Sequence, residues 1–142
     1  MPDTVVSGRR CSLRGAGLFV NSASASAYVQ SSAFNNNGSG VSIDAGQMTV
    51  ADSSAEYNLI GFLDVGGTLT LFDDRALFNQ QGLVMVAEGV AGGTLYFVNC
   101  LIANNTWAYN FGGVAAGATP GTSFVAPGQN LVGPLSTPIT LQ

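Results

Sequence analysis

The sequence predicts an all-β fold: a parallel β-helix of about four to five coils, followed by an extended tail. The main observation is an internal repeat, seen in AGQMTVADSSAEYN (45–58), GGTLTLFDDRALFN (66–79) and GGTLYFVNCLIANN (92–105). Each segment opens around a glycine, continues through alternating apolar residues and closes on asparagine. A repeat of about 21 to 26 residues suits one coil of a solenoid, in which stacked neighbours bury what a single coil cannot.

Alternation within the repeat is the second observation. Apolar residues recur at every second position, which is the period of a strand with one buried face. The start and stop signals of helices are missing from these segments. We therefore expect two inward-facing stacks of side chains, with one residue from each coil. The predicted members are Phe19, Val41, Leu63 and Val84 in the first stack, and Val50, Leu71 and Phe97 in the second.

A β-sandwich built from hairpins is the alternative fold. Alternation alone does not distinguish parallel from antiparallel strand pairing, so the same apolar pattern fits both architectures. The regular spacing of glycines and asparagines favours the β-helix, because such corners recur once in every coil.

Two short motifs carry a resemblance to known repeats. The segments GGTL (66–69 and 92–95) and FNNN (34–37) resemble the repeats of polymorphic outer-membrane proteins. The wider pattern, over roughly residues 15–111, is similar to the right-handed parallel β-helix of the pectate-lyase-like superfamily. This resemblance implies a right-handed coil. It also implies a protein that binds or cleaves a polysaccharide along one face of the coils.

Composition divides the chain into two parts. Residues 1–111 are predicted to form the β-helix, including its N-terminal edge. Residues 112–142 hold four of the five prolines and no charged residue, so they do not fit a helix. Their large apolar side chains should be buried, and we expect this tail to pack on the coils or on a partner.

The charge content excludes several classes of protein. The chain has four basic and eight acidic residues, no histidine and a net charge of −4. Nucleic-acid binding is excluded because it needs a distributed basic surface. No apolar run is long enough to span a membrane as a helix, and the first residues lack the apolar core of a signal peptide. No metal site or cofactor is expected. Cys11 and Cys100 should lie too far apart to pair.

An acidic corner is the candidate for chemistry. Asp52 and Asp73 fall at the same point of successive coils, about 4.8 Å apart, and Asp74 and Arg75 follow directly. Paired carboxylates at such a distance could cleave glycosides or bind a hard cation. The chain offers no histidine or lysine beside them, and arginine is too basic to accept a proton. We therefore expect a solvated structural corner, with these four residues as weak catalytic candidates.

A column of asparagines is expected at another corner of the coils. Its predicted members are Asn35, Asn58, Asn79 and Asn104. Asparagine tolerates left-handed backbone and hydrogen-bonds its own turn, so stacked asparagines suit repeated corners.

Partner contacts are predicted at both ends of the solenoid. Trp107, Tyr109 and Phe111 alternate near the last coil, where they could cap the core or form a recognition row. Three arginines cluster near the N-terminus. The candidate partner-binding residues are Trp107, Tyr109, Phe111, Arg9, Arg10 and Arg14. We expect a homo-oligomer or a complex with a protein partner.

The expected function is that of a non-catalytic structural or adhesion module, located outside the cell, on the cell surface or in a virion. Few titratable groups and a rigid repetitive scaffold favour it. The alternative is a protein that binds or cleaves carbohydrate, for which a polysaccharide would be the partner.

Overall fold

The computed structural model describes residues 15–85 and 93–110, and all the regular structure in these residues is β-strand. Short strands alternate with bends of one to a few residues, as the glycine, asparagine and aspartate corners predict. The strands are β1 (Ala16–Gln30), β2 (Ala33–Asn35), β3 (Ser39–Ala51), β4 (Ser54–Glu56), β5 (Ile60–Asp64), β6 (Thr68–Phe72), β7 (Arg75–Leu77), β8 (Gln81–Met85), β9 (Thr94–Val98), β10 (Leu101–Ala103) and β11 (Trp107–Asn110).

Every described strand pair is parallel, and the chain winds as a β-solenoid with three faces. The first halves of β1 and β3 form the first face with β5, β8 and β11. The second halves of β1 and β3 form the second face with β6 and β9. The third face is β2, β4, β7 and β10. Parallel pairing excludes the β-sandwich, which is built from antiparallel hairpins.

The coil number is slightly lower than predicted. From β2 to β10 the third face contains four parallel strands, so the described chain makes about three turns rather than four to five coils. Parallel neighbours cannot be joined by a hairpin. Here each connection is a whole coil, and the core is the space that the three faces enclose.

The second predicted stack is confirmed. Val50, Leu71 and Phe97 are paired in register on β3, β6 and β9, and each is fully buried. Val29 extends the stack by one coil. Burying apolar side chains is worth about 25 cal/mol per Å², and this column contributes to the single apolar cluster of the described core.

The first predicted stack is wrong by one residue. Val41 is paired with Phe62 and Leu18, and these face the core. Phe19, Leu63 and Val84 belong to the neighbouring column, which passes through Ser42, and Phe19 is half exposed. A shift of one residue moves a side chain to the other face of a strand. The predicted spacing of 22 residues between Phe19 and Val41 was therefore one residue short.

Several predictions lie outside the described residues. These include the tail over residues 112–142, Phe111, Cys11 and the three N-terminal arginines Arg9, Arg10 and Arg14. Within the described residues there is no helix of the length and apolarity that crossing a membrane requires. Cys100 is a free thiol buried in the core.

Candidate functional site

The acidic corner lies between the second and third faces. Asp52 and Asp73 are stacked with Ser31 and Asn99 in a column where every residue has a positive φ, between 50° and 57°. Aspartate and asparagine enter this left-handed region more readily than other side chains. Both aspartates are exposed, and the Gln30 amide donates a hydrogen bond to Asp52 Oδ2 at 3.4 Å. The backbone explains why acids occupy this column.

Asp74 is not part of the solvated corner, contrary to the prediction. Its side chain is 1% exposed. Oδ1 accepts a hydrogen bond from the Ser53 backbone N–H at 2.7 Å, and Oδ2 accepts one from the Phe72 N–H at 3.0 Å. Burial raises the pKa of Asp74 to about 7, and the nearby carboxylates of Asp52 and Asp73 add to the rise. The hydrogen bonds from Ser53 and Phe72 lower the pKa and so oppose this rise. Because Ser53 belongs to the preceding coil, Asp74 links one coil to the next.

Asp74 belongs to a column that we call the mixed ladder: Ser32, Ser53, Asp74 and Cys100. The Ser32 N–H donates to Ser53 Oγ at 3.1 Å, just as the Ser53 N–H donates to Asp74. The Ser53 hydroxyl also donates to the carbonyl of Ala51 at 2.8 Å. The side chains of Ser53 and Asp74 thus each accept a backbone N–H of the preceding coil. The groups with nucleophilic potential are engaged in coil-to-coil hydrogen bonds.

An open depression of about 370 Å³ overlies this corner, lined by Asp52, Ser53, Ser54, Asp73 and Arg75. Arg75 begins β7 and is exposed. The structure therefore brings three of the four predicted chemical candidates around one surface and places Asp74 beneath it. Among the described residues, no group of three or more histidine, cysteine or acidic side chains is arranged to hold a metal ion. The depression supplies carboxylates and a guanidinium to whatever contacts it.

Asparagines form the opposite corner, between the third and first faces. The column is Asn37, Asn58, Asn79 and Asn105, which we call the asparagine ladder. Asn58 and Asn79 were predicted correctly, whereas Asn35 and Asn104 are not its end members. All four ladder side chains are buried, and Asn104 is an exposed left-handed residue beside it.

The side chains of Asn58, Asn79 and Asn105 both accept and donate between coils, whereas Asn37 at the first coil donates its backbone N–H to Asn58 Oδ1. The backbone N–H of Asn58 donates to Asn79 Oδ1 at 2.9 Å, and that of Asn79 to Asn105 Oδ1 at 2.8 Å. Asn79 Nδ2 donates to the carbonyl of Ala55 in the preceding coil at 2.9 Å. A neutral amide satisfies donors and acceptors together, so the ladder is a structural element and its side chains are closed to ligands.

An exposed aromatic pair lies on the surface of the same corner. Tyr57 and Phe78 have φ of 56° and 55°, a conformation that is a genuine outlier for bulky residues. Their rings are stacked, with centroids 5.2 Å apart and an interplanar angle of 8°. Leu59 beside them is 59% exposed. Sequence reasoning missed this pair because it focused on the asparagines that follow each ring.

The predicted row at the last coil is divided between two environments. Trp107 is 38% exposed, whereas Tyr109 is buried and packs its ring 6.0 Å from that of Phe97. Tyr109 thus continues the core above Leu83. The two side chains do not form one recognition row. Of the two predicted roles, Tyr109 fits the capping of the core.

The second face of the solenoid presents an uncharged surface, which we call the flat face. One outward column runs through Tyr28, Thr49, Thr70 and Tyr96. The two tyrosines are 38% and 40% exposed, and the neighbouring Phe72 is 45% exposed. Hydroxyl groups therefore lie between aromatic rings on a regular, flat support.

A second buried acid, Asp64, was also missed. It ends β5 and is fully buried. The sequence signal was the DxGG pattern of Asp64, Gly66 and Gly67, in which an aspartate can accept backbone N–H groups of its own turn.

Comparison with known proteins gives no relative: no family model, no curated protein and no solved structure matches this chain. The fold and its surfaces therefore stand on the geometry alone.

Proposed function

We propose that this chain is a non-catalytic structural or adhesion module that acts through the surface of a rigid β-solenoid. The observation that carries the proposal is the aromatic pair, Tyr57 and Phe78. Both rings occupy left-handed positions at which other coils use Asn36 and Asn104. Bulky residues in that region strain the backbone by roughly 1–3 kcal/mol, while an exposed ring gains little from burial. A role in contacting a partner would explain why bulky rings occupy these strained positions.

The positions of the polar residues at the acidic corner support a non-catalytic role. Ser53 and Asp74 are buried and hydrogen-bonded between coils. Asp52 and Asp73 are exposed without histidine or lysine in the sequence to act beside them. A general base needs a partner geometry that positions and tunes it. The acidic corner thus supplies contacts to a partner and hydrogen bonds within the fold rather than catalysis.

The proposed setting is outside the cell, on the cell surface or in a virion, with a homo-oligomer or a protein partner as the assembled form. Exposed aromatic side chains are enriched where proteins meet partners. The stacked rings of Tyr57 and Phe78 are exposed at one corner, and Leu59, two residues after Tyr57, is exposed as well, so apolar side chains are available to a partner there.

The test is adhesion of beads that carry the full chain to surfaces coated with mucin or with fibrillar collagen. Wild-type beads should adhere to one of these surfaces, and the double variant Tyr57→Asn/Phe78→Asn should lose most of that adhesion. Phe72→Thr, which removes an exposed ring from another face, is the matched control. Cleavage of a polysaccharide by the wild type, lost in Asp52→Asn/Asp73→Asn, would overturn the non-catalytic proposal.

A second candidate function is carbohydrate binding or cleavage, which rests on the flat face. Tyr28 and Tyr96 lie three coils apart, roughly 14 Å, with the hydroxyls of Thr49 and Thr70 between them. Aromatic rings stack on sugars, and neutral hydroxyls hydrogen-bond to them. This candidate function includes the proposal that the chain is a member of the pectate-lyase-like superfamily or a relative of the outer-membrane repeat proteins. A glycan array with a calcium titration tests it: binding that is lost in Tyr28→Ala and kept in Tyr57→Asn would favour it.

A further inference from the structure

Asp64 is a carboxylic acid in the apolar core of the solenoid. It lies in register between Ile43 on β3 and Met85 on β8, and all three side chains are at most 1% exposed. Its Oδ1 accepts a hydrogen bond from the Gly67 backbone N–H at 3.0 Å. Its Oδ2 is buried and accepts no hydrogen bond from the described residues. One oxygen is thus anchored and the other is not.

Backbone encloses the carboxyl group. A Cβ placed on Gly93, in the next coil, would collide with both carboxyl oxygens of Asp64. Thr94, which follows Gly93, donates its N–H to the carbonyl of Gly67 at 2.8 Å. The group therefore occupies the space that a side chain at Gly93 would fill. An ionised carboxylate there loses most of its hydration, and within residues 15–85 and 93–110 it gains no positively charged partner.

We propose that Asp64 is a proton-binding switch in the core: its protonation tightens the corner between β5 and β6, and its ionisation loosens that corner and weakens the solenoid. The proposal rests on the fold and is independent of the function proposed above. Protonation removes the buried charge and leaves Oδ1 able to accept from Gly67. Burial raises the pKa of Asp64 to about 6, although its hydrogen bonds with Gly67 and Gly66 lower it.

Neighbouring charges do not hold the ionised form in place. Of the described strands that contact β5, β3 carries Asp44, a half-buried acid next to Ile43. Strand β8 carries no ionisable side chain. Strands β4 and β7 contact β5 at the other corner and carry Glu56 and Arg75. Burial alone raises the pKa of Asp64, the backbone hydrogen bonds with Gly67 and Gly66 lower it, and none of these charged groups is among the causes of the shift.

The direction of the effect follows from linkage. The unfolded carboxyl has its ordinary pKa of 3.8, and the folded one about 6. The folded state therefore binds the proton more tightly, so the stabilisation is complete below about pH 4 and is lost as the pH rises through about 6. The unfolding equilibrium constant should rise roughly tenfold or more from pH 5 to pH 7.5 through Asp64 alone. The solenoid should therefore be more stable towards unfolding in acid than at neutral pH.

The experiment is urea unfolding of the full chain between pH 4.5 and pH 8. Asp64→Asn keeps the shape and the acceptor oxygen but removes the ionisation, so its unfolding constant should vary less with pH than that of the wild type, by roughly 25-fold over this range. Asp44→Asn, a partly exposed acid of the neighbouring strand, is the control and should retain the wild-type dependence. Equal pH dependence in Asp64→Asn and wild type would overturn the proposal.

A second measurement covers the case in which Asp64→Asn does not fold. Hydrogen-exchange protection factors in the wild type report local opening residue by residue. Protection of the Gly66 and Gly67 amides should fall as the pH passes through about 6, and by more than that of the Asn58 amide in the asparagine ladder, which reports only global unfolding. Protection at Gly67 that is independent of pH would contradict the switch.

Discussion

The acidic corner and the asparagine corner of the solenoid both bond one coil to the next, but they do so with different side chains. Each has a left-handed column, followed by a buried column that bonds one coil to the next. In the asparagine ladder all four buried residues are amides, which donate and accept together. In the mixed ladder the third member, Asp74, accepts the N–H groups of Ser53 and Phe72, but as a carboxylate it has no proton to donate. The amides of the asparagine ladder do not ionise, whereas the carboxyl group of Asp74 does.

The difference teaches that a repeated position specifies a hydrogen-bonding role rather than a residue type. Ser32, Ser53, Asp74 and Cys100 each place an acceptor at the same point, but their desolvation penalties differ. Burial raises the pKa of Cys100 to about 12 and that of Asp74 to about 7. A thiol therefore stays neutral at physiological pH, whereas the acid titrates there.

Breaking the asparagine ladder should have the largest effect. In Asn79→Ala the Asn58 N–H loses its acceptor and the Ala55 carbonyl loses a donor. Each buried polar group left without a partner costs about 1–3 kcal/mol, so we expect a loss of roughly 3–5 kcal/mol in the free energy of unfolding. Urea denaturation checks it.

The matched control is Asn104→Gly, one residue outside the ladder. Asn104 is exposed and its left-handed backbone suits glycine, so its stability should change by less than about 1 kcal/mol. An equally large loss at Asn104, or no loss at Asn79, would mean that the ladder does not stabilise the coils.

The second largest effect is expected in the mixed ladder. Asp74→Ser restores the residue found one coil earlier, whose Oγ accepts the same kind of N–H at 3.1 Å. Because the folded pKa of Asp74 is raised, its stabilising protonated form is lost as the pH rises through about 7. The variant should be more stable than wild type by about 1–2 kcal/mol at pH 8, with no such gain at pH 4. Thermal unfolding at the two pH values checks this, and a gain of the same size at both would refute the ionisation argument.

Much of this architecture could be predicted from the sequence, and the failures have physical causes. Val50, Leu71 and Phe97 were placed correctly because a glycine lies four residues before each of them. The ladder ends were misplaced because asparagines occur in runs at 35–37 and 104–105. The spacing of the repeat cannot tell which asparagine of a run joins the ladder. The hydrogen bonds between coils show that Asn37 and Asn105 do.

Burial of the acids could not be predicted for a related reason. Asp73 and Asp74 are adjacent in sequence, yet one is exposed at φ 57° and the other is buried. A left-handed residue reverses the direction of the chain, so alternation cannot be extrapolated through the corner. The exposed aromatic pair escaped prediction because propensity disfavours bulky rings at such positions.

A smaller effect is expected from the aromatic pair itself. Phe78→Asn removes the stacking with Tyr57, worth about 0.5–1.5 kcal/mol, but it relieves backbone strain of similar size. The free energy of unfolding should therefore change by less than about 1 kcal/mol, while adhesion to the coated surface is lost. A large loss of stability would instead show that the rings serve the fold, and chemical denaturation separates the two outcomes.

The smallest effect should come from the exposed acids. Asp52→Asn and Asp73→Asn keep a side chain that tolerates φ near 50–57°, and asparagine already occupies this column at Asn99. In the part of the chain that the structure describes, the side-chain hydrogen bond of these two aspartates is the one from Gln30 to Asp52, which is long and exposed and which an amide oxygen can also accept. Stability should change by less than about 0.5 kcal/mol, and adhesion should be unchanged. Removing either charge should also lower the pKa of Asp74, because both carboxylates raise it. A loss of function at constant stability in these variants would return the acidic corner to the candidates for chemistry.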